Sequence, residues 1–167
     1  MRQLVINTSS SLFFTRIGLL PHLLRRFKII TTDEIYQEVK EGIDIGHRDA
    51  HILKQYFDDK KIEIFKAEST IKICTDFNIK ETDASIIALA QEKNCFLASE
   101  DKQIEKICLI TQTSITNTAI LIYLLWQKND FNDERVFLLL DLLLKNGYNK
   151  EICLKIKEKI IRGDKHV

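Results

Sequence analysis

Apolar residues recur along this chain in two rhythms. Short apolar-rich runs at positions 4–6, 28–30, 62–65, 95–98 and 108–111 are bounded by polar or turn-forming residues. That is the pattern of strands in a buried parallel sheet. Longer stretches between and after them place apolar residues every three or four positions, as amphipathic helices do. Read in order, the chain predicts helices over 11–26 (one or a pair), 31–40, 48–58, 69–77, 83–93, 101–106, 117–127, 134–145 and 150–162, with a turn at 41–46. Asn-Thr-Ser-Ser-Ser after the first strand reads as a helix cap, because such side chains accept from free helix-start amides. Thr31 with Glu34 has the spacing of a capping box, and Thr82 is placed to cap the helix that follows it. Strands alternating with helices predict an α/β fold, with a central parallel sheet of about five strands flanked by helices.

Composition narrows this only a little. The 167 residues are enough for one domain with a substantial core. A net charge of +1 removes any global field that would mark a nucleic-acid binder, so such binding would need a local patch. The four cysteines are widely spaced and sit in or beside apolar runs. They read as buried free thiols, which suits a reducing cytoplasm. The apolar stretch at 119–126 is too short to cross a bilayer, which takes about 20 residues. One proline, five glycines and no low-complexity run leave no evident linker. The phosphate-cradling patterns GxGxxG and GxxxxGK are absent, which counts against a nucleotide-binding α/β domain.

Polar residues fall where such a sheet would use them. Ligands bind at the carboxyl ends of strands in open parallel sheets. Asn7 directly follows the first strand, and Glu100 and Asp101 directly follow the fourth. Glu81 and Asp83 open a helix, and Glu38 lies inside another. An acidic residue at a helix start is by itself an ordinary response to the helix dipole, and Glu38 alone would be a solvated helix residue. Together they form a carboxylate set that a cation between them would stabilise. Hard divalent cations such as Mg²⁺ or Mn²⁺ take oxygen ligands of this kind.

These residues, in this order, resemble a PIN domain, the fold of many ribonuclease toxins of the VapC kind. LVINTSSSLFFTRIGLLPHL is similar to the family's first strand and helix, and FKIITTDEIYQEVKEG to the second strand and the glutamate-bearing helix. KETDASIIALAQEKNCFLASED is similar to its central motif of an acidic residue, an Ala/Ile-rich helix and a strand ending in Thr/Ser-x-Asp. VFLLLDLLLKNGYNKEICLKIKEKI looks like the tail of a prokaryotic branch with extra C-terminal helices. The resemblance implies a PIN-like three-layer fold, with a nuclease domain over 1–130 and a helical extension over 131–167 packed on it. It implies a metal site of Asn7, Glu38, Glu81, Asp83 and Asp101. It implies Mg²⁺- or Mn²⁺-dependent hydrolysis of single-stranded or structured RNA, a toxin role with a small antitoxin partner, and a homodimer. Thr8, Ser9, Ser99 and Asn117 are secondary candidates, with helix capping the favoured reading for Thr8, Ser9 and Asn117 and a similar dual reading for Ser99.

The chain departs from the family at one position. Asn7 stands where the family has its first aspartate. An asparagine carbonyl can ligate a hard metal but brings no charge, and loss of a group serving the transition state costs about 10²–10³ in rate. Asn7 therefore reads as a natural loss of activity, an engineered substitution, or the mark of a weak nuclease. The alternative function is a non-catalytic PIN module that binds RNA or a protein. Among basic residues, Arg48, Lys102 and Lys106 lie nearest the acidic edge in sequence order and are candidate phosphate contacts. Arg25, Arg26, Lys28, Lys60 and Lys61 read as solvated surface. His47 and His51 are four apart, but no third ligand accompanies them.

Overall fold

A computed structural model describes residues 1–164. The described residues form two compact units, Met1–Thr116 and a second from Asn117 onward. The first holds five parallel strands: β1 (Arg2–Ile6), β2 (Phe27–Thr32), β3 (Ile62–Phe65), β4 (Phe96–Ala98) and β5 (Ile115–Thr116), in the order β3-β2-β1-β4-β5. Both faces of β1 are covered: Leu4, Val5 and Ile6 are all fully buried, although successive side chains point to opposite faces. This is the α/β architecture with a five-stranded parallel sheet expected from the alternation of patterns.

The helices of this unit are α1 (Thr8–Arg16), α2 (Leu20–Arg26), α3 (Asp33–Asp44), α4 (Arg48–Asp58), α5 (Thr70–Phe77), α6 (Glu81–Glu92) and α7 (Lys102–Ile110). The stretch read as one helix or two is a pair, broken at Gly18, whose φ of +67° is costly for other residues. Helix α6 is the centre of the core. Its residues from Ala84 to Ala90 are all buried, and it packs on β1, β2, β4, α3, α5 and α7. An amphipathic stripe could not serve neighbours on so many sides. Ala84, Ser85, Ala88 and Ala90 keep the helix thin enough for close approach, while Ile86, Ile87 and Leu89 fill the space between layers.

Three local expectations are corrected. Residues 108–111, read as the fifth strand, are the end of α7 and the turn after it. Ile104, Ile107 and Cys108 make its buried stripe, while Leu109 and Ile110 are about 70% exposed. A four-residue apolar run cannot by itself distinguish a strand from a helix end. The actual fifth strand is the two-residue β5, whose pairing with β4 outweighs its weak pattern. The Thr31–Glu34 capping box does not form. Thr31 is fully buried in β2 and its hydroxyl donates to the Ile6 carbonyl at 2.8 Å, so the helix starts one residue later. Thr82 is inside α6 rather than its cap, which is Lys80.

A long-range cap joins α5 to α6. The Glu92 carboxylate accepts from the Glu68 and Ser69 amides, each at 2.9 Å, and from the Ser69 hydroxyl at 2.7 Å. It thus satisfies free amides at the start of α5 from the far end of α6. Although desolvation pushes its pKa up, these donors outweigh it and hold the carboxyl below its usual value of 4.5.

The second unit comprises α8 (Thr118–Gln127), α9 (Asp133–Lys145) and α10 (Lys150–Ile161). Asn117, Asn132 and Asn149 cap them, each accepting from a first-turn amide. Trp126 is buried, stacks on Tyr123 and donates to Asp133 at 2.6 Å.

Replacing Ile87 by Ala should destabilise the protein by about 2–5 kcal/mol in denaturant titrations. Leu109→Ala should cost less than about 0.5 kcal/mol; a large loss there would show that residue 109 is a core strand position after all. Glu92→Gln should lower stability by about 1 kcal/mol at neutral pH, discounted for its exposure. Because the folded pKa is depressed, the wild-type advantage is present above about pH 4.5. It should shrink as pH falls through the folded value, so the two stability curves should converge in acid.

Candidate functional site

The strand order turns at β1, which has β2 on one side and β4 on the other. Crevices open at the carboxyl ends of strands where the order reverses. The register pairs Ile6 with Ala98, so the residues that follow, Asn7 and Ser99, emerge side by side. Glu38 lies on α3, which follows β2; Asp101 precedes α7, which follows β4; and Asp83 is in the first turn of α6, the helix that leads into β4.

Asn7 is 7% exposed and caps α1. Its Oδ1 accepts from the Ser10 amide at 2.9 Å and from the Ser9 hydroxyl at 3.1 Å. A backbone amide can only donate, so the oxygen must face α1 and the nitrogen must face the other way. Nδ2 donates to Ser99 Oγ at 2.9 Å, and the Asp101 amide donates to the same oxygen at 3.1 Å. The oxygen that could ligate a metal is thus taken up by the cap, and the second arm of the side chain presents protons.

The carboxylates are held separately. Asp101 caps α7, with Oδ1 accepting from the Gln103 amide at 2.6 Å and the Ile104 amide at 3.1 Å. Glu38 is half-buried and accepts from the Thr8 hydroxyl, so it faces α1 rather than solvent. Asp83 is also half-buried, and its pKa is raised. Burial is the main cause, followed by the negative charges of Asp101 and Glu38, with Lys80 opposing. Three carboxylates from three helices therefore share one electrostatic neighbourhood. Among the described residues, no group of three His, Cys, Asp or Glu side chains stands ready to hold a metal ion.

Glu81 is exposed; burial first, then the charges of Glu81 and Asp83, raise the Cys74 thiol pKa, and Glu81 is not among the charges that shift Asp83. Thr8 and Ser9 hydrogen-bond within the site, to Glu38 and Asn7, and Ser99 bridges Asn7 to Asp101. Asn117 caps α8 in the second unit, accepting from the Ile120 amide at 2.9 Å. Lys102 is paired with Glu105 at 3.0 Å.

Sequence reasoning passed over a supporting layer. The buried Ser10 hydroxyl donates to Glu100 at 3.2 Å, placing a further carboxylate beside α1. The Thr32 and Ser85 hydroxyls lie 2.8 Å apart, fully buried, and Ser85 also donates to the Thr82 carbonyl. These bonds tie the end of β2 to the first turn of α6, the turn that carries Asp83. A hydroxyl in the middle of the Ala/Ile-rich stretch was the available signal for Ser85. Nothing local to Thr32 marked its partner 53 residues away.

Comparison with known proteins bears on the fold and the family. No curated protein matches the chain significantly. Eight chains of solved structures match. One is the crystal structure of PAE2754 from Pyrobaculum aerophilum, at 10% identity and a TM-score of 0.52, covering 72% of this chain and 93% of that one. At that identity the likeness shows the fold alone. The family model described as DUF3368, a PIN domain, matches residues 3–160. Since that span is nearly the whole chain, this protein belongs to the PIN-domain family.

Proposed function

We propose that this PIN domain is a metal-dependent ribonuclease whose hydrolysis of RNA is reduced or lost because Asn7 replaces the first acidic ligand. The PIN domain is a nuclease fold in general, and PIN domains generally depend on a divalent metal. The observation that carries the reading here is the convergence of Glu38, Asp83 and Asp101: burial first, then the charges of Asp101 and Glu38, raise the pKa of Asp83. Carboxylates that repel one another at the switch point of a parallel sheet fit a hard cation by donor chemistry. Glu38, Asp83 and Asp101 would hold Mg²⁺ or Mn²⁺. When bound, such an ion supplies charge stabilisation to a phosphodiester and acidifies an attacking water. Thr8 orients Glu38, the α7 amides orient Asp101, and the Thr32–Ser85 pair holds the turn that carries Asp83.

The geometry of Asn7 favours a second reading, a PIN module that binds RNA or a protein without cutting. Asn7→Asp separates the two. An aspartate can keep the α1 cap through Oδ1, and the Ser99 hydroxyl can turn from acceptor to donor toward Oδ2. The fold therefore accommodates the change while the site gains a charge. The further expectations of a toxin role with an antitoxin partner, a homodimer and a cytoplasmic location rest on the resemblance to VapC-type ribonucleases. All four cysteines are free thiols, which is compatible with a reducing compartment. Among the described residues no helix is long and apolar enough to cross a membrane. A short antitoxin-like reading frame beside the gene would support the toxin role.

Asn7→Asp should tighten Mn²⁺ binding about tenfold by calorimetry and raise cleavage of single-stranded RNA by about 10²–10³. If that variant neither binds Mn²⁺ nor cuts, and Asp101→Asn changes nothing, the nuclease reading fails. Cleavage by the unaltered chain that Asp83→Asn abolishes would instead sink the non-catalytic reading.

Asp83 also makes a pH prediction. Its raised folded pKa means that protons compete with the metal above the ordinary carboxylate value of 3.8. Mn²⁺ affinity should rise with pH through that window and then level off. Without metal the same shift lowers fold stability as pH rises through the raised value. Asp83→Asn should therefore stabilise the metal-free protein at pH 7 by up to about 1 kcal/mol, after allowance for solvent screening. It should also remove any stabilisation by Mn²⁺. Metal-free melting that is unchanged or lower would count against a strained carboxylate set.

A further inference from the structure

The acidic residues lie at one edge of the sheet; the opposite edge carries the other sign. A parallel sheet brings the starts of all its strands together, and several strands here begin with cations. Arg2 opens β1, Lys28 is the second residue of β2, Lys61 immediately precedes β3, and Lys93 lies three residues before β4. Arg25 and Arg26 end the helix that leads into β2. Basic residues that read as scattered solvated surface along the chain are therefore gathered on one edge.

Hollows run along that edge. One of about 520 Å³ is lined by Arg2, Gln3, Lys28, Lys93, Asn94 and Phe96, among others. It shares Asn94, Cys95 and Ser114 with a neighbour of about 390 Å³ reaching Thr111, Gln112 and Thr113. It shares Lys28 with another of about 710 Å³ that includes Phe27, Tyr56 and Lys61. Linked hollows make a track along the edge rather than a closed pocket for one small ligand. Phe96 is 40% exposed within it, an aromatic face beside cations. The Lys28 and Lys93 ammonium groups lie over the Phe65 ring, at 5.9 and 4.6 Å from its centroid. Carboxylates near this edge are already engaged: Glu63 with Lys28, Asp59 with Lys61, and Glu92 with the start of α5. Arg2 has no ion-pair partner among the described residues, so the track keeps uncompensated positive charge.

We propose that the amino-terminal edge of the sheet is a second, non-catalytic binding track for single-stranded RNA, with phosphates along Arg2, Lys28, Lys61 and Lys93 and a base stacked on Phe96. A cationic groove interleaved with an exposed aromatic is how proteins hold single strands without reading their sequence. An acidic protein segment would satisfy the cations but leave Phe96 without a role. The choice of RNA rests on the nuclease reading, yet the track needs neither Asn7 nor the carboxylates.

The test is fluorescence anisotropy of a labelled single-stranded RNA with the full chain in EDTA, over a series of salt concentrations. Arg2→Glu with Lys93→Glu should weaken binding at least about tenfold and flatten the salt dependence, by about 0.7 in logarithmic slope for each phosphate no longer neutralised. Phe96→Ala should weaken it by about five- to tenfold with little change in slope. Circular dichroism should show both variants folded. Lys102→Glu with Lys106→Glu, on the helix that Asp101 caps, probes phosphate contacts at the acidic site and should weaken binding less than the track pair does. The proposal is overturned if the track variants bind normally, or if the Lys102/Lys106 pair carries the loss instead. It is also overturned if poly-glutamate competes as well as RNA and Phe96→Ala has no effect, which would make the edge a docking site for acidic protein. Failure of Asn7→Asp to bind Mn²⁺ or cut RNA bears on the nuclease reading alone and leaves these metal-free measurements intact.

Discussion

Parallel pairing of β1 on both of its edges is the constraint on which the acidic site depends. Because β2 and β4 lie on opposite sides of β1, the chain leaving β1 meets the chain leaving β4. That places Asn7 against Ser99, and through Ser99 against the backbone of Asp101. It also opens the crevice into which helices from separate parts of the chain bring carboxylates. Behind that pairing, α6 packs on β1, β2 and β4 through an uninterrupted buried run. The helix that carries Asp83 at its start is thus the same helix that covers the central strands.

The site is built at a cost that the rest of the fold offsets. Asp83 is half-buried near two like charges, a placement that disfavours its ionised form. A proton or a cation would relieve that repulsion, and stability traded for function is common at active sites. Asn7 adds no charge to that neighbourhood. As an amide it caps α1 with its oxygen and satisfies Ser99 with its nitrogen, so every polar atom is used without a fourth charge. An aspartate there would cap equally well and add a negative charge to the crowd.

Parallel topology also sorts charge across the molecule. Strand starts and strand ends fall on opposite edges, so a near-neutral chain can carry a carboxylate site on one edge and a cationic track on the other. Net charge is blind to this, because it sums over the separation.

Much of this was legible in the residues themselves. Apolar runs marked β1 to β4, helical periodicity marked most helices, and the motif order through Asn7, Glu38, Asp83 and Asp101 pointed to a PIN domain. Those signals are local, or are carried by order along the chain. What failed depended on partners distant in sequence. Residues 108–111 look like a strand until the burial of Ile104, Ile107 and Cys108 shows a helix face, and β5 exists only because β4 is beside it. Thr31 looks like a cap until its hydroxyl is found on Ile6. Sequence by itself determined the fold class, since periodicity and residue chemistry are properties of the chain. Tertiary structure alone decided which way Asn7 turns its oxygen, which carboxylates feel one another and where scattered cations converge, because each depends on distances between segments that only folding brings together.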